Sequence, residues 1–113
     1  MAIKHYATRT KSASGATQWV RVNPKKFPFE VHVLVNLSGG ANLTYTVEFA
    51  IEDMVDEDDT SVTAYNLPEL ISQTTTQSRA VIAPVTAIRL NVTSYTSGTA
   101  TLRVRQGGVT NDD

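Results

Sequence analysis

Apolar and polar residues alternate with period two through much of the chain. From Phe29 to Leu37, the residues Phe29, Val31, Val33, Val35 and Leu37 fall on one side, and Glu30, His32, Leu34 and Asn36 on the other. Successive side chains of a strand point to opposite faces, so this run predicts a half-buried strand. The same rule sets Leu43, Tyr45, Val47, Phe49 and Ile51 against Thr44, Thr46, Glu48, Ala50 and Glu52. Between the two runs, Ser38-Gly39-Gly40-Ala41-Asn42 supplies glycine where a tight connection needs positive φ, and the unit predicts a β-hairpin.

A second such unit lies near the C-terminus. Ile88, Leu90 and Val92 are expected inward, with Arg89, Asn91 and Thr93 outward. After a turn at Thr96-Ser97-Gly98 the chain returns, with Ala100, Leu102 and Val104 inward and Thr99, Thr101, Arg103 and Arg105 outward. On a hairpin, Arg89, Arg103 and Arg105 form one basic strip on its outer face. Shorter strands are predicted at Gln18–Val22 and Ser78–Ala83. The first is ended by the run Asn23 to Phe27 and Pro28, because two prolines within five residues do not sit in a central ladder. Leu67–Ile71 is expected as a helical turn.

Short strands separated by Gly and Pro turns predict an all-β fold, an antiparallel, jelly-roll-like β-sandwich with the two hairpins at the centres of facing sheets. Residues 1–17 are expected as a flexible N-terminal arm carrying a short strand at Ile3–Thr10, and removable without loss of the fold, because Ser12–Thr17 has no core-forming period. Residues 18–108 are the sandwich domain and 109–113 a polar tail.

Composition narrows the chemistry. A chain of 113 residues fits one domain, and β-branched Thr and Val suit a pleated surface. Without cysteine there are no disulfides, zinc–thiolate sites or thiol nucleophiles. Ten Lys and Arg against 11 Asp and Glu leave a net charge of −1, which does not favour nucleic acid or an anionic membrane as partner. The first residues lack the apolar run of a signal peptide, and no stretch has the length of a transmembrane helix. On that basis Asn36, Asn42 and Asn91, each followed two positions later by Ser or Thr, read as strand chemistry rather than glycan sites.

Candidate catalytic groups do not assemble into a motif. His5 is near the N-terminus and His32 lies in a polar register, with no Gly-x-Ser-x-Gly elbow to pair with either. The acidic run Asp53, Asp56, Glu57, Asp58 and Asp59 lacks the glycine that an EF-hand loop needs at its sixth position. Glu48 and Glu52 would stand roughly 13 Å apart on a strand, too far for a glycosidase pair. The expectation is a protein that is not an enzyme, with no cofactor, metal or small-molecule substrate. Its interface residues are expected to be the apolar anchors Ile3 and Tyr6, the basic Arg89, Arg103 and Arg105, and the acidic Asp56, Glu57, Asp58 and Asp59.

The segments Leu43-Thr44-Tyr45-Thr46-Val47-Glu48-Phe49 and Pro84 to Val104, which includes Ala87-Ile88-Arg89-Leu90-Asn91-Val92-Thr93-Ser94-Tyr95-Thr96-Ser97-Gly98-Thr99, resemble small proteins encoded near the capsid genes of tailed bacteriophages and prophages. The resemblance covers about residues 29–52 and 84–106. It implies a virion structural component, a head decoration (cement) protein on the capsid exterior that is made in the bacterial cytoplasm. The major capsid protein and further copies of this chain, as homodimer or homotrimer, are the implied partners. The alternatives are a neck, tail or fibre-attachment component, and a carbohydrate-binding sandwich in which Trp19, Tyr45, Tyr65 and Tyr95 stack sugars.

Overall fold

The computed structural model describes residues 6–24, 26–27, 29–53, 61–82, 84–107 and 109–110, and among these every regular element is a strand. In chain order they are β1 (Tyr6–Lys11), β2 (Gly15–Ala16), β3 (Val20–Arg21), β4 (Lys26–Phe27), β5 (Val31–Leu37), β6 (Asn42–Ala50), β7 (Tyr65–Asn66), β8 (Gln77–Val81), β9 (Ala87–Ser97), β10 (Ala100–Gln106) and β11 (Val109–Thr110). The first sheet has four strands in the order β1-β10-β5-β8. The second has five, ordered β2-β9-β6-β7, with β3 also paired to β9; β4 and β11 form a separate two-stranded ribbon. All pairings are antiparallel.

The two sheets face each other as a β-sandwich. Val31, Val33 and Val35 of β5 and Leu102 and Val104 of β10 meet Tyr45, Val47, Ile88, Leu90 and Val92 of the second sheet in one core. Each residue here is almost wholly withdrawn from water. Burying a Val, Leu or Ile side chain contributes about 1.5–3 kcal/mol, so the alternating apolar rows are what fix the faces.

The predicted strands form, but the two predicted hairpins do not. β5 pairs with β10 and β8, whereas β6 pairs with β9 over Asn42–Ala50. Likewise β9 and β10 belong to different sheets. Each connection is therefore an arch that crosses from one sheet to the other. The two arches lie side by side: Ser38 N–H donates to Thr99 O (2.9 Å) and Thr99 N–H to Ser38 Oγ (3.0 Å). Gly98, at φ 96°, presses on Ala41 so closely that a Cβ would stand 2.5 Å from the Ala41 Cβ. Only glycine fits that approach.

Residues 6–16 are not a free arm. β1 pairs with β10 from Tyr6↔Arg105 to Lys11↔Ala100, and after a short crossing Gly15 and Ala16 pair with Val92 and Asn91. The stretch lacks an apolar period because its strand lies at a sheet edge, where backbone pairing holds it. The helical turn expected at Leu67–Ile71 is corrected too. Leu67 N–H donates to Val47 O (2.8 Å) and Val47 N–H to Leu70 O (2.9 Å), so this segment follows the edge of β6 with a tight turn between. Within it Leu70 N–H closes back on Leu67 O (3.1 Å) as a single turn, and the positive φ of Glu69 keeps that turn from being helical. Glu69 (φ 73°) and Ser72 (φ 53°) take the left-handed conformation that the turn demands, and Leu67 and Leu70 join the core. The same segment covers Thr46, which points outward in the alternation yet is buried, its Oγ1 accepting the Ser72 N–H (3.0 Å).

Candidate functional site

The residues singled out by sequence fall on two opposite outer faces. On the second sheet, Glu48 of β6 lies opposite Arg89 of β9. Arg89 Nε–H donates to Glu48 Oε1 at 2.7 Å, and Asn91 Nδ2–H donates to Glu48 Oε2 at 3.2 Å. The guanidinium sits over the Trp19 ring, 4.4 Å from its centroid. Trp19 is 2% exposed and forms a small second core with Ala50 and Ala87, flanked by Val62 and Ala64. Ala50 and Ala87 are outward residues of their strands. Small side chains there leave room for the indole, and the chain itself roofs this face. Arg89 therefore serves the fold and does not lie in a strip with Arg103 and Arg105, because β9 and β10 occupy different sheets.

Among the described residues, the outer face of the first sheet is open. Its register places Tyr6, Arg105, His32 and Ala80 in one row across the four strands, and Thr8, Arg103, Leu34 and Ser78 in the next. Thr10, Thr101 and Asn36 complete a third. No Asp or Glu stands in these rows; Glu30 lies beyond the end of β5, where its backbone carbonyl accepts the Gly107 N–H (3.0 Å). Arg103 donates from Nε to Asn36 Oδ1 (2.8 Å) and from Nη1 to the Tyr6 hydroxyl (2.7 Å). The Arg105 guanidinium lies 5.0 Å from the centroid of the Tyr6 ring. Both arginines are exposed, and among the described residues neither has a carboxylate partner.

Of the residues expected at an interface, Tyr6, Arg103 and Arg105 thus come together, while Ile3, Asp56, Glu57, Asp58 and Asp59 lie outside the described residues, as does His5. Asn36 and His32 join the open face without having been singled out for it. The alternation of β5 marked both as outward; pairing of β5 with β10, which no local pattern reveals, made them neighbours of the arginines. The sugar-stacking aromatics are dispersed. Trp19 and Tyr45 are buried, Tyr65 stacks on Phe49 at 5.7 Å, and the Tyr95 hydroxyl donates to Gly98 O (3.0 Å). Burial pushes the Tyr45 phenol up to about 12, and its hydroxyl donates to Thr75 O (2.7 Å).

A groove of about 240 Å³ at one end of the sandwich is lined by Arg21, Val22, Pro24, Asp53 and Thr86. It is open to solvent and holds no histidine. Among the described residues no group of three or more His, Asp or Glu side chains is placed to hold a metal ion, and no helix is long and apolar enough to cross a membrane.

No protein-family model matches the chain, and no curated protein does. Among solved structures it is similar to a chain of the disulfide-linked pili that form Bacillus endospore appendages, with a TM-score of 0.49 and 11% identity over 92% of this chain and 86% of that one. It is similar to the SPBc2 prophage-derived protein YomS at a TM-score of 0.47 and 11% identity, over 95% of this chain and 99% of that one. A likeness to the IMPa metallopeptidase from Pseudomonas aeruginosa has a TM-score of 0.45 and 14% identity, and takes in 93% of this chain but 12% of that one. At these scores the likenesses say nothing of activity or partner.

Proposed function

We propose that the chain is a structural protein of a bacteriophage particle, of the head-decoration type, which binds the capsid exterior and clamps capsomer junctions. One observation carries this reading. The two segments that resemble proteins encoded beside phage capsid genes are far apart in sequence, yet they are the paired strands β6 and β9, with β10 continuing from the second. The resemblance therefore follows one contiguous block of the sandwich rather than two scattered strand-like phrases. The physics of the role agrees. A packaged genome presses outward, and a clamp needs a stiff body and a docking face rather than a catalytic pocket. Most strands here are hydrogen-bonded into sheets on both sides of one core, and no described residue outside the first sheet covers its arginine-bearing face. In this reading the chain is not an enzyme, and its partners are the major capsid protein and further copies of itself.

The test uses particles that lack the protein, separated into heads and tails and incubated with the purified chain. The expected result is sedimentation with heads and a higher temperature for DNA release. Recovery with tails alone would replace this reading with a neck or tail component. Absence from both would remove the virion reading.

A further inference from the structure

We propose that the outer face of the first sheet is the docking surface, and that its partner is a protein surface presenting two carboxylates about two strand residues apart. This rests on the decoration reading above, which it sharpens by naming the face and the chemistry that meets it.

Three observations lead there. Arg103 and Arg105 are two residues apart on β10, so their side chains leave the same face from Cα positions about 7 Å apart. Both are held in place before any partner arrives, one by Asn36 and the Tyr6 hydroxyl, the other over the Tyr6 ring. An arginine already extended and oriented loses less side-chain freedom when it binds. Finally, the other residues in these three rows are Tyr6, Thr8, Thr10, His32, Leu34, Asn36, Ser78, Ala80 and Thr101, with no acid among them.

The number of cations favours a protein carboxylate over a nucleic-acid backbone. A guanidinium pairs either anion bidentately, and each arginine keeps several donors unspent. A nucleic-acid backbone needs many cations along a track, whereas this face offers two arginines on a chain of net charge −1.

The experiment measures particle binding for the wild type, the double variant Arg103→Glu/Arg105→Glu, the milder Arg103→Gln/Arg105→Gln, and Arg21→Glu as a charge-reversal control on the second sheet. Circular dichroism verifies folding. The expected result is a loss of at least about tenfold for the Glu pair, corresponding to about 1.4 kcal/mol or more, a smaller loss for the Gln pair, and none for Arg21→Glu. Equal binding by wild type and the folded Gln and Glu pairs overturns the proposal. A second measurement needs no particle: the Nε–H resonances of Arg103 and Arg105 are followed while adding a Thr-Glu-Thr-Glu-Thr peptide, its Gln counterpart, or a duplex oligonucleotide. Shifts with the Glu peptide alone support the face even when particles do not bind, in which case the decoration reading fails and the carboxylate chemistry stands. Equal shifts with the Gln peptide, larger shifts with the oligonucleotide, or self-association of the wild type that the double variant abolishes, each overturn it.

Discussion

Arg89 and Arg105 project outward from consecutive strands, β9 and β10, and end on opposite sides of the sandwich in opposite surroundings. Arg89 is paired with Glu48, bridged through that carboxylate to Asn91, and covered by Trp19. Arg105 rests on the ring of Tyr6, itself 40% exposed, and meets no acid among the described residues. The same residue type thus closes one face and arms the other. The difference comes from what lies above each sheet. The chain passes back over the second sheet with Trp19 and the Val62–Ala64 stretch, and among the described residues it does not pass over the first. Substitutions should then cost stability on the second sheet and binding on the first.

The harshest way to break that contrast is to delete residues 1–16, which removes β1 from the first sheet and β2 from the second. The expected outcome is loss of cooperative thermal unfolding, read by circular dichroism. A folded, cooperative truncated chain would restore the idea of a dispensable arm. Next comes Trp19→Ala, which empties the roof of the second sheet and should cost about 3–5 kcal/mol in urea unfolding. Its counterpart on the open face, Tyr6→Ala, should cost under about 1 kcal/mol, since little is buried there.

The core between the two faces supplies a third measure through pH. The folded Tyr45 phenol titrates near 12, against 10 for the unfolded chain. Between those values the unfolded state has released its proton and the folded state still holds it, so stability is intact below pH 10 and falls as pH rises toward 12. Two units correspond to about 2–3 kcal/mol. Melting curves across pH 9–12 check this, and Tyr45→Phe should flatten that part of the decline while losing the bond to Thr75.

Smaller again is Glu48→Gln. It leaves Arg89, whose side chain is 23% exposed, without its carboxylate, and should cost about 1–2 kcal/mol. Salt should weaken this effect little because the pair is sheltered. Smallest is Arg103→Gln/Arg105→Gln, expected within about 0.5 kcal/mol of wild type in stability, as for ordinary surface changes. A larger loss would show that these arginines serve the fold, as Arg89 does.

By itself the alternation of side chains determined which segments are strands and, within each, which residues face the core. Val31, Val33, Val35, Val47, Ile88, Leu90, Leu102 and Val104 were legible as inward from period two alone, and all are buried. It also placed Arg103 and Arg105 on one face, since residues two apart on a strand share a side. Which strand pairs with which was decided only by the tertiary structure. Two apolar-faced strands joined by a short glycine-bearing connection satisfy the same pattern as a hairpin in one sheet or as an arch across two, because inward residues reach a shared core either way. In the arch the two connections touch, with Gly98 seated on Ala41 and Ser38 bonded to Thr99, contacts that neither connection reveals alone. The placement of β1 was equally hidden, since an edge strand held by backbone bonds leaves little apolar signature. With those pairings set, Arg89 was carried to the closed face and Tyr6 to the open one: local periodicity assigns a side of a strand, and only nonlocal pairing assigns its neighbours.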